Sequence, residues 1–183
     1  MNVVDGISKQ QIDLVHALLN TRYGQLYADI WKVGVNLSLR IGDLLAIRFD
    51  DLDLANRTLT LTESKTGKRK DIRLNAPAIA VIQRRRKEHP GDVFLFEVHS
   101  NRTSGKPISR VSVARCFKDV GDSLGLSVGT HSMRKSRGKA MFDSGMPIEK
   151  ISKVLNHAST GVTLRYLGIT RDQVLQTYDD FEL

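Results

Sequence analysis

Ser8-Lys9-Gln10-Gln11 has the form of a capping box, and Ile12, Val15, Leu18 and Leu19 follow it at helical spacing, which predicts a first helix over roughly 8–20. Leu26, Ile30, Val33 and Leu37 repeat the pattern in a second helix, with Trp31 as a core anchor. Ser38 then offers a fresh cap and places Arg40 in the first turn of a short helix carrying Leu44, Leu45 and Ile47. From Phe49 the period changes. Leu52, Leu54, the run Thr58-Leu59-Thr60-Leu61-Thr62 and Asp71-Ile72-Arg73-Leu74 alternate polar and apolar around turns at Asn56-Arg57 and at 65–68, which predicts a small antiparallel sheet of three strands.

Pro77 opens a helix that runs to Glu88 and ends before Pro90. Val93-Phe94-Leu95-Phe96 is short and apolar, either a buried strand or a packing plug, and Asn101 to Pro107 has the composition of a loop. Ser109 caps a helix through Val113, Phe117 and Val120 that ends at Gly121 or Gly125. Helices over 131–143, 147–156 and 160–167 follow, with a last one from Asp172 to Tyr178. No internal repeat, low-complexity tract or extended linker interrupts the pattern.

At 183 residues the chain suits one domain with a real core, and the expected fold class is α+β, mostly α-helical. The net charge of +8 favours a polyanionic partner. The cations are clustered: Lys65, Lys68, Arg69, Lys70 and Arg73; then Arg84, Arg85, Arg86 and Lys87; then Arg134, Lys135, Arg137 and Lys139. Each cluster reads as a solvated face or as a phosphate contact, and the third, interleaved with candidate catalytic residues, favours phosphate. The single cysteine, Cys116, reads as a buried small side chain, which excludes a disulfide framework and a cysteine metal site. No pair of the five histidines has the spacing of a zinc helix motif, so no metal or other cofactor is expected. No apolar run approaches the roughly 18 residues of a membrane span, and the N-terminus lacks a signal pattern, so the expected place is cytoplasmic, without a membrane partner.

Candidate chemistry lies in His131-Ser132-Met133-Arg134, Leu155-Asn156-His157 and Thr163-Leu164-Arg165-Tyr166-Leu167, with Arg40 far upstream in Leu39-Arg40-Ile41-Gly42-Asp43-Leu44-Leu45. A phenol has a pKa near 10, so only about one in a thousand is ionised at neutral pH, and a tyrosine nucleophile needs a strongly cationic site to offset roughly 4 kcal/mol. Two arginine forks can grip the nonbridging oxygens of one phosphodiester and stabilise its pentacoordinate transition state. One turn before Arg134, His131 shares its face and can hold the tyrosine proton, and His157 completes the cage as a donor. Asp43, three residues after Arg40, can face that guanidinium or His131 and orient it.

These motifs, in this order, resemble those of the tyrosine recombinases, the family that includes phage integrases. The resemblance implies a tyrosine recombinase catalytic-domain-like fold and metal-free cleavage of double-stranded DNA through a 3′-phosphotyrosyl link at Tyr166, with Arg40, His131, Arg134 and His157 in the catalytic set. It also implies a lysine acid on a β-hairpin, matched by Lys65 in Ser64-Lys65-Thr66-Gly67, with Lys68 and Lys70 close enough to contest the role. Lys68, Arg69, Lys70, Lys135 and Arg137 are expected on DNA. Tyr23, Tyr27 and Tyr178 compete with Tyr166 as nucleophile, Tyr178 most seriously; it lies in a hydrophobic, acidic segment, 174–183, that the resemblance implies packs on another recombinase protomer. Residues 1–183 are expected to form one catalytic domain without the N-terminal DNA-clamping domain of typical integrases, as an excised domain or a short stand-alone member. Two other functions compete: relaxation of supercoils in the manner of a type IB topoisomerase, and a catalytically silent DNA-binding regulator.

Overall fold

The computed structural model describes residues 6–99 and 105–169, together with 175, 176, 179 and 180. Helix α1, Lys9–Tyr23, starts at the expected capping box: Gln11 N donates to Ser8 Oγ at 3.2 Å and Ser8 N to Gln11 Oε1 at 2.8 Å. Helix α2, Gln25–Leu37, lies at the centre, packed by α1, by α4 (Ala76–Glu88) and by α6 (Ser132–Asp143). This explains its nearly continuous burial: Ala28, Ile30, Trp31 and Val33 are all inaccessible to solvent. Trp31 meets Phe117 edge to face at 5.2 Å, and its indole N–H donates to Ile12 O at 3.0 Å, so burying the ring leaves no polar group unpaired. At Gly34 a Cβ would stand 2.1 Å from Met133 Sδ, so any larger residue would have to displace the buried Met133 side chain where α2 meets α6.

Ser38 does not cap the next helix as expected. It ends α2 in the left-handed conformation at φ 55°, and Arg40, rather than lying in a first turn, is itself the N-cap of α3, Ile41–Leu45. The expected antiparallel sheet is present in the order β1 (Leu52–Asp53), β2 (Thr58–Thr62), β3 (Arg69–Arg73), with Leu59 opposite Ile72 and Leu61 opposite Lys70. Val93–Phe96 is the packing plug: it makes one bridge, Phe94 to Arg48, and buries Leu95 and Phe96 completely. Helices α5 (Arg110–Ser123), α7 (Ile148–Val154) and α8 (Thr160–Leu167) follow, and Cys116 is buried on α5 as expected. The loop at 101–104 and most of the segment beyond 169, including Tyr178, lie outside the described residues. No helix among those described is long and apolar enough to cross a membrane.

Candidate active site

Arg134 sits on the first turn of α6 and is only 3% exposed. Its Nη1 donates to Ser38 O, the carbonyl that the left-handed turn after α2 presents, and its Nη2 donates to Leu155 O at 2.6 Å. One guanidinium therefore fixes the approach to Arg40 and the end of α7 in a single position. The chain then turns through Asn156 at φ 48°, and His157 N donates back to Ser152 O at 3.0 Å. His157 Nδ1 lies 3.0 Å from Thr163 Oγ1, which orients the ring toward α8. Its ring meets Tyr166 edge to face at 4.9 Å.

Tyr166 is half-buried, and its hydroxyl makes no hydrogen bond of good geometry. Burial raises its pKa above the ordinary phenol value, and the nearby Arg134 and Arg40 charges pull the other way without cancelling that effect. The His131 and His157 imidazoles are both held below their usual value, first by burial and then by the positive charges of Arg134 and Arg40, with Arg110 and Lys135 adding to the effect at His131. Both histidines are therefore predominantly neutral at pH 7. Lys135 lies over the Tyr166 ring, its Nζ 5.5 Å from the centroid. The fold thus gathers Arg40, His131, Arg134, His157 and Tyr166 from four separate segments.

Asp43 does not face Arg40 or His131. One carboxylate oxygen accepts from Ser64 N at 2.9 Å and from Ser64 Oγ at 2.7 Å, so Asp43 anchors the base of the β2–β3 hairpin beside Lys65. The partner of Arg40 is Glu63, which is fully buried; Arg40 Nη1 stands 3.0 Å from Glu63 Oε2 as an ion pair, off the axis of a hydrogen bond. The same oxygen accepts from Asn156 Nδ2, and from Thr66 Oγ1 at 2.9 Å. Burial by itself raises the Glu63 pKa, yet the contacts from Asn156, Thr66 and Arg40 together hold it below the ordinary value, so the carboxylate is charged. Glu63 joins three segments of the site: Arg40, the lysine hairpin and the residue before His157.

The hairpin lysines differ. Lys65 and Lys68 are exposed, as is Arg69, which pairs loosely with Asp71 at 3.8 Å. Lys70 is half-buried and donates to Val154 O at 2.8 Å, and its pKa is lowered, first by burial, with Arg134 and Arg40 adding to the effect against Glu63 and Asp43. Arg137, one turn after Arg134 on α6, lines a cavity of about 350 Å³ with Lys70, Arg73 and Lys153, and its Nε is buried without a partner. The Arg84 cluster divides: Arg86 and Lys87 are exposed, whereas Arg84 and Arg85 are drawn inward. Arg84 and Arg85 both pair with buried Asp29, Arg85 Nε donates to Leu95 O at 2.6 Å, and Arg86 stacks on Phe49 with its guanidinium carbon 4.2 Å from the ring centroid.

The fold is shared with tyrosine recombinases. The crystal structure of XerA recombinase superposes on 98% of this chain and 64% of its own at a TM-score of 0.74, with 17% identity. XerH bound to palindromic difH substrate in a post-cleavage complex covers 94% of this chain and 51% of its own at 0.75, with 14% identity. In sequence, the probable integrase/recombinase YoeC of Bacillus subtilis is 34% identical over 149 residues, 81% of this chain and 80% of YoeC. Tyrosine recombinase XerA of Pyrococcus furiosus is 28% identical over 132 residues, 72% of this chain but only 46% of XerA. The phage integrase family matches residues 8–172. The chain belongs to that family, and it spans 80% of YoeC but about half of the other curated relatives it matches.

Proposed function

We propose that residues 1–183 act as one catalytic domain that cleaves and rejoins double-stranded DNA with Tyr166 as nucleophile. The observation that carries this reading is the gathering of Arg40, Arg134 and His157 beside the half-buried Tyr166, with His131 one turn before Arg134, around a hydroxyl that makes no hydrogen bond of good geometry. Arg40 and Arg134 bind the nonbridging oxygens of the scissile phosphate, and His131 takes the phenol proton as the Tyr166 oxygen attacks phosphorus. The bond to the 5′ oxygen breaks, that oxygen leaves as a hydroxyl with a proton from a hairpin lysine, Lys65 by position, and a 3′-phosphotyrosyl ester remains. His157, its Nδ1 turned to Thr163, offers Nε2 to the phosphate. Attack by a 5′ hydroxyl from a partner strand reverses the chemistry, and because the ester retains the bond energy no nucleotide is consumed.

Lys68, Arg69, Lys70, Lys135 and Arg137 contribute cationic surface to DNA in this reading, and 174–183 packs on another protomer. XerH in complex with difH, and an integrase of transposon Tn1549 with circular intermediate DNA, are neighbours in fold that support DNA as the substrate. DNA as substrate also implies a cytoplasmic, nucleoid-associated place. A nicked suicide duplex tests the proposal: the wild type should become covalently attached, while Tyr166→Phe should bind DNA almost normally and form no adduct. Adducts formed by Tyr166→Phe, mapped to Tyr178, would overturn the assignment.

A further inference from the structure

Outside the catalytic cluster, one group of side chains has the chemistry of a ligand site. His89 ends α4, Asp92 follows in the next turn, and His99 comes after the Val93–Phe96 plug; one donor atom from each lies within 4.8 Å of the other two. We propose that His89, Asp92 and His99 bind a transition-metal dication of the Zn²⁺, Ni²⁺ or Cu²⁺ kind, at a site separate from the reaction centre.

The donor set is two imidazole nitrogens and one carboxylate oxygen, which suits these borderline ions and not Mg²⁺ or Ca²⁺, whose sites are built from oxygen. Geometry agrees. Donors about 2.0–2.2 Å from a tetrahedral ion stand about 3.3 Å apart. Asp92 Oδ2 and His99 Nε2 are 3.1 Å apart, so both can reach one ion with little movement. The His89 and His99 rings are stacked, 21° from parallel with centroids 4.5 Å apart, and the three donor atoms already lie within 4.8 Å of one another, so a modest turn of the His89 ring brings them to one ion. His89 is half-buried and His99 is 49% exposed, which gives the ion a path in and lets the His89 ring turn to complete the set.

The frame around the three ligands is rigid. Asp92 is only 7% exposed, its N–H donates to His89 O at 3.2 Å, and its carbonyl accepts from Arg86 at 3.3 Å. Between Asp92 and His99, the buried Glu97 carboxylate gathers the N–H groups of Val93, Phe94 and Gly105 at 3.0, 3.2 and 2.8 Å. Glu97 is therefore spent on the loop's own backbone, whereas Asp92 turns its carboxylate to His99. Among the described residues that histidine is its sole ion-pair partner. A dication there meets a carboxylate that no arginine or lysine of the described residues neutralises. Three protein ligands leave a coordination position for water, and the bound ion ties the end of α4 to the far side of the plug. An ion that binds only the folded chain raises its stability in proportion to the logarithm of its concentration above Kd.

The test uses the full chain stripped with a chelator, then titrated with Zn²⁺ by calorimetry and with Co²⁺ as a spectroscopic probe. One ion per chain should bind, the cobalt bands should indicate nitrogen and oxygen ligation in a four- or five-coordinate site, and Tm should rise with Zn²⁺. His89→Gln and His99→Gln, folded as judged by their metal-free Tm, should each lose more affinity than the about 10- to 100-fold that loss of an outer partner costs. Covalent DNA capture by His99→Gln should stay at the wild-type level. Binding weaker than millimolar, or binding unchanged by both histidine variants, would overturn the site. Loss of binding in a His131→Gln, His157→Gln double variant, with both single variants at the plug unaffected, would place the ion in the catalytic cluster and equally overturn it.

Discussion

Arg134 and Lys65 bring the same sign of charge to the proposed reaction, and the protein holds them in opposite ways. Arg134 is buried, with two of its donors committed to Ser38 O and Leu155 O. Lys65 stands exposed at the tip of the hairpin, and what holds it is indirect: Asp43 clamps its neighbour Ser64, while Glu63 takes Thr66. The contrast follows the chemistry each group has to do. Transition-state charge is stabilised best by donors already in place, because reorganisation then costs nothing at the moment of reaction. A general acid must instead reach one leaving oxygen, give up a proton and recover it from solvent.

The largest effect should come from the hairpin. If Lys65 protonates the 5′ oxygen, Lys65→Ala should slow cleavage of ordinary DNA by about 10²- to 10⁴-fold. A substrate with sulfur at the bridging 5′ position should restore it, since a thiolate leaves unaided. Lys70 is the structural challenge to this assignment. Its pKa is lowered, chiefly by burial, and it lies near the arginines, but its ammonium is engaged by Val154 O. Rescue of Lys70→Ala and not of Lys65→Ala would transfer the acid to β3.

Arg134→Lys sharpens the other side. An ammonium cannot copy a fork that bridges two carbonyls while reaching a phosphate, so cleavage should fall by about 10²- to 10³-fold, as on losing an oxyanion donor. Tm should fall as well, because Ser38 O and Leu155 O lose a buried partner. The sulfur substrate should give no rescue. Lys65→Ala should leave Tm unchanged, and a matching loss of Tm in both variants would erase the distinction between fixed and exposed cations.

A chemical motif was easier to read from the sequence than the contacts that hold it. The reaction dictates residue types, so Arg40, His131, Arg134, His157 and Tyr166 could be picked out without coordinates, and the fold brings them together. Asp43 departs from its expected role because its partner, Ser64, lies on another element, whereas a three-residue spacing speaks only for neighbours on one helix. For Glu63 the sequence does carry a signal: Leu59, Leu61 and Glu63 alternate with threonines, so the period of β2, continued by one residue, turns the carboxylate inward with the leucines. Arg85 likewise follows Ala78, Val81 and Ile82 on the buried face of α4, and reading it by charge alone concealed that periodicity.

Glu63→Gln tests the link between the two regions. The amide keeps the shape but removes the charge on which two charge-assisted hydrogen bonds, from Asn156 and Thr66, and the Arg40 ion pair converge. Cleavage should drop on the order of tenfold, and Tm should fall with it. The sulfur substrate separates the parts: partial rescue means the hairpin has shifted, and no rescue means Arg40 has. Unchanged cleavage with lowered Tm would reduce Glu63 to a packing residue.

The smallest effect concerns the proton acceptor. In the folded protein the His131 pKa lies below 6.5, with burial as the main cause and the charges of Arg134, Arg110, Arg40 and Lys135 adding to it. Only neutral imidazole accepts a proton, so activity is present above that lowered pKa and is lost as pH falls through it. At pH 6.5 more than half of His131 remains neutral, and cleavage measured at subsaturating DNA should retain more than about half of its plateau. Of the four cations, Arg110 has no place in the proposed chemistry, which makes it the clean probe. Arg110→Gln removes one repulsive charge, so the His131 pKa should rise toward the ordinary imidazole value and the acid limb should move to higher pH with the plateau unchanged. An acid limb that stays put would show that the fixed cationic wall does not set the protonation state of its base, and a limb that moves to lower pH would give the field the wrong sign.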